Sequence, residues 1–158
     1  MNKLFLFLAF AVFALIACSE DKPAPTHSEL CAKKPITKEC LIGKWILENV
    51  IRESDNPEPL CDSKGELKLE ANGDFSFKGG IYNLTPYGIW NLNEKGEIEI
   101  EFIAGTNLEI PDKITATTEV RYTTGQLRLT SYGYTSFSQC KINGNTKLIE
   151  VFTWSGSN

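Results

Sequence analysis

The sequence predicts an all-β protein, an eight-stranded antiparallel up-and-down barrel preceded by a signal peptide and a disordered tether. Three observations carry this. Segments with an apolar residue at every second position recur along the chain, the clearest being Glu97-Ile98-Glu99-Ile100-Glu101-Phe102. Tight-turn signals separate them, among them Asn72-Gly73, where both residues accept the positive φ of a hairpin turn. After the N-terminal 30 residues, helical periodicity is nearly absent.

Residues 1–17 have the parts of a secretory signal. Lys3 is the positive end, Leu4 to Ile16 is apolar throughout, and small Ala17 precedes the cut. As a helix this run reaches about 20 Å, short of the roughly 30 Å hydrocarbon core, so it is a poor membrane span. Leu15-Ile16-Ala17-Cys18 resembles the bacterial lipobox. That resemblance implies that Cys18 becomes the first residue of the mature chain, is acylated, and anchors the protein to the membrane. Ser19 follows, where an Asp would resemble an inner-membrane retention signal. The expectation is therefore an outer-membrane lipoprotein, facing either the periplasm or the cell surface. Residues 18–30 are polar, with Pro23 and Pro25, and read as a solvated tether. The barrel domain is expected over residues 31–158. The only histidine, His27, falls in the tether and so outside the expected fold.

The strands follow in order. Lys44 to Arg52 opens the series; Glu66 to Glu70 and Asp74 to Lys78 alternate cleanly around the Asn72-Gly73 turn. Tyr87 to Leu92 is joined to Glu97 to Phe102 by Asn93-Glu94-Lys95-Gly96. Ile114 to Tyr122 is rich in Thr and β-branched residues, turns at Thr123-Thr124-Gly125, and continues as Gln126 to Thr130. Lys147 to Trp154 closes the chain. A barrel and a sandwich both satisfy such a succession. Most connections look like hairpins, and closure removes exposed edges from Ile- and Phe-rich strands, which favours the barrel.

Composition excludes several function classes. Net charge is −4, with three arginines and no basic cluster, so nucleic acid is not an expected partner. No Gly-x-Ser-x-Gly, phosphate-binding or dinucleotide loop is present, and no Ser or Cys has an evident histidine partner. The reading is a non-enzyme without a cofactor. Glu97, Glu99 and Glu101 alternate with inward residues and belong to a solvated face. Asp55, Glu58, Asp62 and Glu66 lack the order of a calcium loop. Beyond Cys18, four cysteines remain: Cys31, Cys40, Cys61 and Cys140. An even number in an exported chain suggests two disulfides; no Cys-x-x-Cys pair or neighbouring histidine suggests metal.

Leu41-Ile42-Gly43-Lys44-Trp45 opening the first strand resembles the Gly-x-Trp signature of lipocalins. Asn72-Gly73-Asp74-Phe75, Gly88-Ile89-Trp90, Arg121-Tyr122 and Leu127-Arg128-Leu129 continue the likeness to small bacterial lipocalin-like lipoproteins over about residues 41–154. The resemblance implies an eight-stranded calyx, a monomer, a small-molecule ligand, and an arginine (Arg121 or Arg128) over the first-strand Trp45. The Thr-Asp-Tyr signature of the family is not visible.

Alternation turns Trp45, Leu47, Leu67, Leu69, Phe75 and Phe77 inward. The same phase turns in Trp90, Ile98, Ile100, Phe102, Val120, Tyr122, Leu127 and Leu129. An eight-stranded barrel is just wide enough to be filled by side chains or to hold one small ligand. Polar residues in phase with this set are the ligand candidates: Asn49, Thr118 and Ser131, with Glu150 if it points inward. Trp90 and Tyr122 are the aromatic candidates. The leading expectation is therefore an anchored barrel binding a small apolar or amphipathic molecule. The alternative is a filled barrel displaying loops 53–64, 79–86 and 133–145 to a protein or glycan. In the last loop, Tyr132, Tyr134 and Phe137 either stack on a partner or plug the barrel. Topology also chooses among the disulfide pairings. In a meander the loops holding Cys61 and Cys140 share one end, so the expected bridges are Cys61–Cys140 and, at the opposite end, Cys31–Cys40.

Overall fold

The computed structural model of the chain describes residues 24–53, 59–61 (backbone only), 64–79, 85–104, 112–121, 123–135, 137 and 146–156. Among the described residues, two short helices, α1 (His27–Cys31) and α2 (Lys38–Leu41), precede nine strands. These are β1 (Gly43–Arg52), β2 (Pro59–Cys61), β3 (Gly65–Leu69), β4 (Asp74–Gly79) and β5 (Tyr87–Leu92). They continue as β6 (Glu97–Ala104), β7 (Lys113–Arg121), β8 (Gln126–Tyr132) and β9 (Lys147–Gly156). All eight expected strands are present. β2 is an addition, pairing Cys61 with Val50 on the far half of β1.

Each strand from β3 onward pairs antiparallel with the next, and β9 returns to β1, from Lys44↔Gly156 to Arg52↔Leu148. The result is a closed eight-stranded up-and-down barrel. The chain enters β1 beside the end of β3 (Gly43↔Leu69), so α1 and α2 lie at the end of the tight turns. Those turns form for local reasons. Asn72 Oδ1 accepts from the Asp74 amide at 3.0 Å, and Gly73 takes a φ of +97°. Asn93 Oδ1 accepts from the Lys95 and Glu97 amides, both at 3.0 Å. The longer connections, including 53–64 and 133–146, share the other end.

The interior follows the alternation. Every described member of the expected inward set is buried except Val120, which is half-buried; Tyr122 lies outside the described residues. Glu99 is exposed, and Glu97 and Glu101 are half-buried on the outer face. Asn49 departs from expectation: it is exposed, not inward. A β-bulge between Leu47 and Asn49 inserts one extra residue opposite β9, so Leu47 pairs with Phe152 and Asn49 with Val151. The phase of β1 flips there, and Val50 goes fully inside in place of Asn49.

The tether reading also needs correction near its end. Thr26 caps α1 through a capping box with Glu29, and the helix buries Cys31 against the barrel. His27 is therefore part of the fold. A disulfide joins Cys31 to Cys40, as topology predicts, and ties α1 to α2. The second expected bridge, Cys61–Cys140, falls outside the described residues.

Candidate functional site

The two ends of the barrel are finished differently. At the long-loop end the chain fills its own mouth. Phe137 is fully buried and meets Phe75 at 5.2 Å, Phe152 at 6.2 Å and Phe77 at 6.4 Å between ring centroids. Its backbone N–H donates to both oxygens of Glu150, at 3.0 and 3.2 Å. Glu150 does point inward and is 1 % exposed. An acid in an apolar barrel demands hydrogen-bond donors, and the loop's own amide meets that demand. The Ser131 hydroxyl donates to the Tyr134 carbonyl, so a second expected ligand group also holds this segment. Of the two roles open to Phe137, the structure selects the plug, while Tyr132 stays exposed.

At the tight-turn end the helices form a strap. The Trp45 indole N–H donates to the Leu41 carbonyl at 2.8 Å, and the Trp90 N–H donates to the Glu70 carbonyl at 3.2 Å. The Lys38 ammonium sits 4.9 Å above the Trp90 ring. His27 stacks on Trp154 at 3.5 Å and 8°, and Trp154 meets Trp45 edge-on at 4.9 Å. His27 and Trp154 thus take the place over Trp45 that the lipocalin resemblance gives to an arginine. Arg121 instead binds Glu119, with Nε to Oε1 at 2.9 Å.

His27 also corrects the expectation that no histidine lies near a cysteine. Its Nε2 is 3.4 Å from Cys31 Sγ and 2.9 Å from the Cys40 carbonyl. His27, Cys31 and Cys40 would be a three-ligand metal set as free thiolates, but the disulfide withholds both sulfurs. Burial pushes the His27 pKa below its ordinary value of 6.5, partly opposed by the bond to the Cys40 carbonyl. The neutral ring therefore belongs to the fold. Its contribution is complete above pH 6.5 and is lost as pH falls from there toward the lowered folded value. Urea midpoints should drop between pH 7.5 and 5.5 in the native protein, and less in His27→Gln. Equal drops in both would refute this role.

Beneath the strap lies a pocket of about 530 Å³. Thr118 and Val120, both on the inward face of β7, line it together with Ile36 from the strap. The Thr118 hydroxyl accepts from the Ile98 amide at 3.2 Å and so holds β6 to β7 at this point. Lys33, Lys34, Lys95 and Arg121 also line it. Of the candidates from sequence, the structure brings only Thr118 to this pocket. Ser131 and Glu150 serve the opposite end, Trp90 supports the strap under Lys38, Asn49 is outside, and Tyr122 is undescribed. Sequence reasoning missed the strap. Lys33-Lys34-Pro35-Ile36 has no period, and nothing local reveals that it lines one pocket with Lys95 and Gly96 of the β5–β6 turn.

No protein-family model matches the chain. No curated protein matches it either. Among solved structures the chain is similar to apocrustacyanin C2, a lipocalin, at 15 % identity and a TM-score of 0.43. The match covers 82 % of this chain and 68 % of that one. The closed barrel rests on the β1–β9 ladder of this chain and not on that likeness.

Proposed function

We propose that the protein is a non-enzymatic, lipid-anchored barrel of the bacterial cell envelope that binds one small apolar or amphipathic molecule in the pocket beneath its strap. One observation carries the binding: the pocket's about 530 Å³ reaches inward-facing residues, Thr118 and Val120. That volume falls in the range of small-molecule sites, roughly 300–1,000 Å³. Among the described residues, Phe137 and Glu150 occupy the interior toward the loop end, which favours the strap end for a ligand. Native mass spectrometry tests it. Single-chain amphiphiles of about twelve carbons should add one per protein, and Val120→Trp, which enlarges a lining side chain, should abolish the adduct. A folded protein that takes up none of them would overturn the reading.

The anchor rests on the lipobox resemblance at Cys18. Cys18→Ala should give an unprocessed precursor or a soluble form. Retention of that variant on membranes through a high-pH wash would refute lipidation.

A second reading, an interaction module, is supported by a different observation. Tyr87, Ile89 and Ile103 are 49, 47 and 64 % exposed on the outer wall of β5 and β6. Large apolar side chains grouped there favour a protein partner on that wall rather than on the loops.

A further inference from the structure

We propose that reduction of the Cys31–Cys40 disulfide converts the strap into a zinc site, with His27 Nε2 and the two thiolates as its ligands. The site is independent of any molecule in the pocket. His27 and Cys31 are the first and last residues of α1, four apart, so the helix sets them one turn from each other on one face. Cys40 is brought to them from α2, and the three ligand atoms lie within 4.8 Å of one another. The imidazole is held there by contacts that do not involve sulfur. It stacks on Trp154 at 3.5 Å and meets Trp45 edge-on at 5.5 Å, and the Thr26–Glu29 capping box fixes the turn that carries it. Breaking the S–S bond therefore leaves the histidine in place.

Tetrahedral zinc, with Zn–S of about 2.3 Å and Zn–N of about 2.0–2.1 Å, puts a ligand nitrogen about 3.6 Å from each sulfur. His27 Nε2 is already 3.4 Å from Cys31 Sγ. The remaining adjustment is separation of the two sulfurs, which the loss of their bond permits. Charge selects the metal. Cys31 and Cys40 are 4 and 0 % exposed, where an uncompensated charge is costly. Two thiolates with Zn²⁺ are neutral, whereas copper(I), the other soft ion for such a set, leaves a buried negative charge. A dithiol reductant attacks the disulfide, the Cys31–Cys40 S–S bond breaks, and the reductant closes its own S–S bond. Two electrons and two protons thereby pass to the cysteines. Zn²⁺ then displaces both thiol protons and forms two Zn–S bonds and one Zn–N bond. Nε2 gives the ion its lone pair in place of its bond to the Cys40 carbonyl at 2.9 Å, with the ring proton on Nδ1, and water takes the fourth position. Either the disulfide or the zinc ion ties α1 to α2, and only the reduced, metal-free chain leaves them untied.

The test compares the full chain oxidised and after reduction by a phosphine, which takes an oxygen from water and leaves no competing thiol. Zinc chloride is the probe, read by competition with a chromophoric chelator and by zinc X-ray absorption. The reduced protein should hold one zinc ion through two sulfurs and one imidazole, and the oxidised protein none with an imidazole ligand. His27 is the only histidine in the chain, so zinc held by the other cysteines would show no imidazole and no dependence on this residue. His27→Gln should weaken zinc binding at least about a hundredfold, since groups that merely support a ligand are worth about 10–100-fold, and His27→Cys should restore it. Near-ultraviolet circular dichroism should show the tryptophan signal falling in the reduced, metal-free protein and returning with zinc. Undiminished binding by His27→Gln, or a zinc shell of sulfur alone, would overturn the proposal. So would a folded protein whose disulfide resists the phosphine, or a reduced protein that zinc neither binds nor refolds.

Discussion

Phe137→Ala is expected to lower the stability of the barrel by about 3–5 kcal/mol, the range for truncating a buried phenyl ring. Phe137 comes from a connection and not from a strand, yet it is fully buried and touches three other phenyl rings. Removing its ring leaves Phe75, Phe77 and Phe152 facing a void that the closed barrel cannot collapse to fill. The Glu150 carboxylate keeps the backbone amide, so the loss isolates packing from hydrogen bonding. Urea unfolding measures it. The variant should also gain an apolar hole in place of the ring, one that takes up benzene or toluene and regains thermal stability on doing so. A loss under about 1 kcal/mol would mean that the ring contributes little and the mouth is open in solution.

Gly43→Ala is expected to cost about 2–5 kcal/mol, as backbone strain and overpacking act together. Gly43 has a φ of +139°, and an added Cβ would fall 2.1 and 2.4 Å from carbons of the Trp154 ring and 2.7 Å from the Gly156 carbonyl oxygen. This is the physical content of the Gly-x-Trp pattern here: glycine leaves room for one indole to lie over the start of β1 while Trp45 fills the barrel behind it. Trp154 cannot move freely, since it stacks on His27 and meets Trp45. A methyl group at residue 43 therefore disturbs the strap as well as β1, and near-ultraviolet circular dichroism should report the displaced indoles. Gly96→Ala is the control. Its φ is +76° but its Cβ would meet nothing within 4 Å, so it should lose only about 1 kcal/mol from backbone strain. Equal losses in the two variants would sink the steric account.

The barrel was legible in the sequence because its signals are local. Glu97 to Phe102 alternates strictly, and each inward residue of it is buried. Asn72-Gly73 and Asn93 to Gly96 each carry the side-chain acceptor or the positive φ that their turns use. The Cys31–Cys40 bridge follows from the same logic, since counting strands assigns loops to ends.

The candidate site was legible only in part. Thr118 reaches the pocket because nothing interrupts the period of β7. Asn49 fails because one extra residue in β1 reverses the phase, and that bulge is a property of the β1–β9 register, which no reading of β1 alone contains. Ser131 is inside as expected and Glu150, whose face the sequence left open, is inside too, yet their partners are the Tyr134 carbonyl and the Phe137 amide, supplied by the connection between β8 and β9.

The sequence by itself determined the eight strands, their order, the end at which each connection lies and, outside the bulged half of β1 and the start of β9, the faces they bury. These depend on a period of two and on turn chemistry over a few residues. Only the tertiary structure decided what closes each end: Phe137 in the mouth, and His27 stacked on Trp154 from 127 positions away (154 − 27). Such contacts join segments whose own patterns are polar or aperiodic. Their inward pull comes from groups the barrel has already buried, Glu150 at one end and Trp45 with Trp154 at the other, and it exists only once the strands have closed.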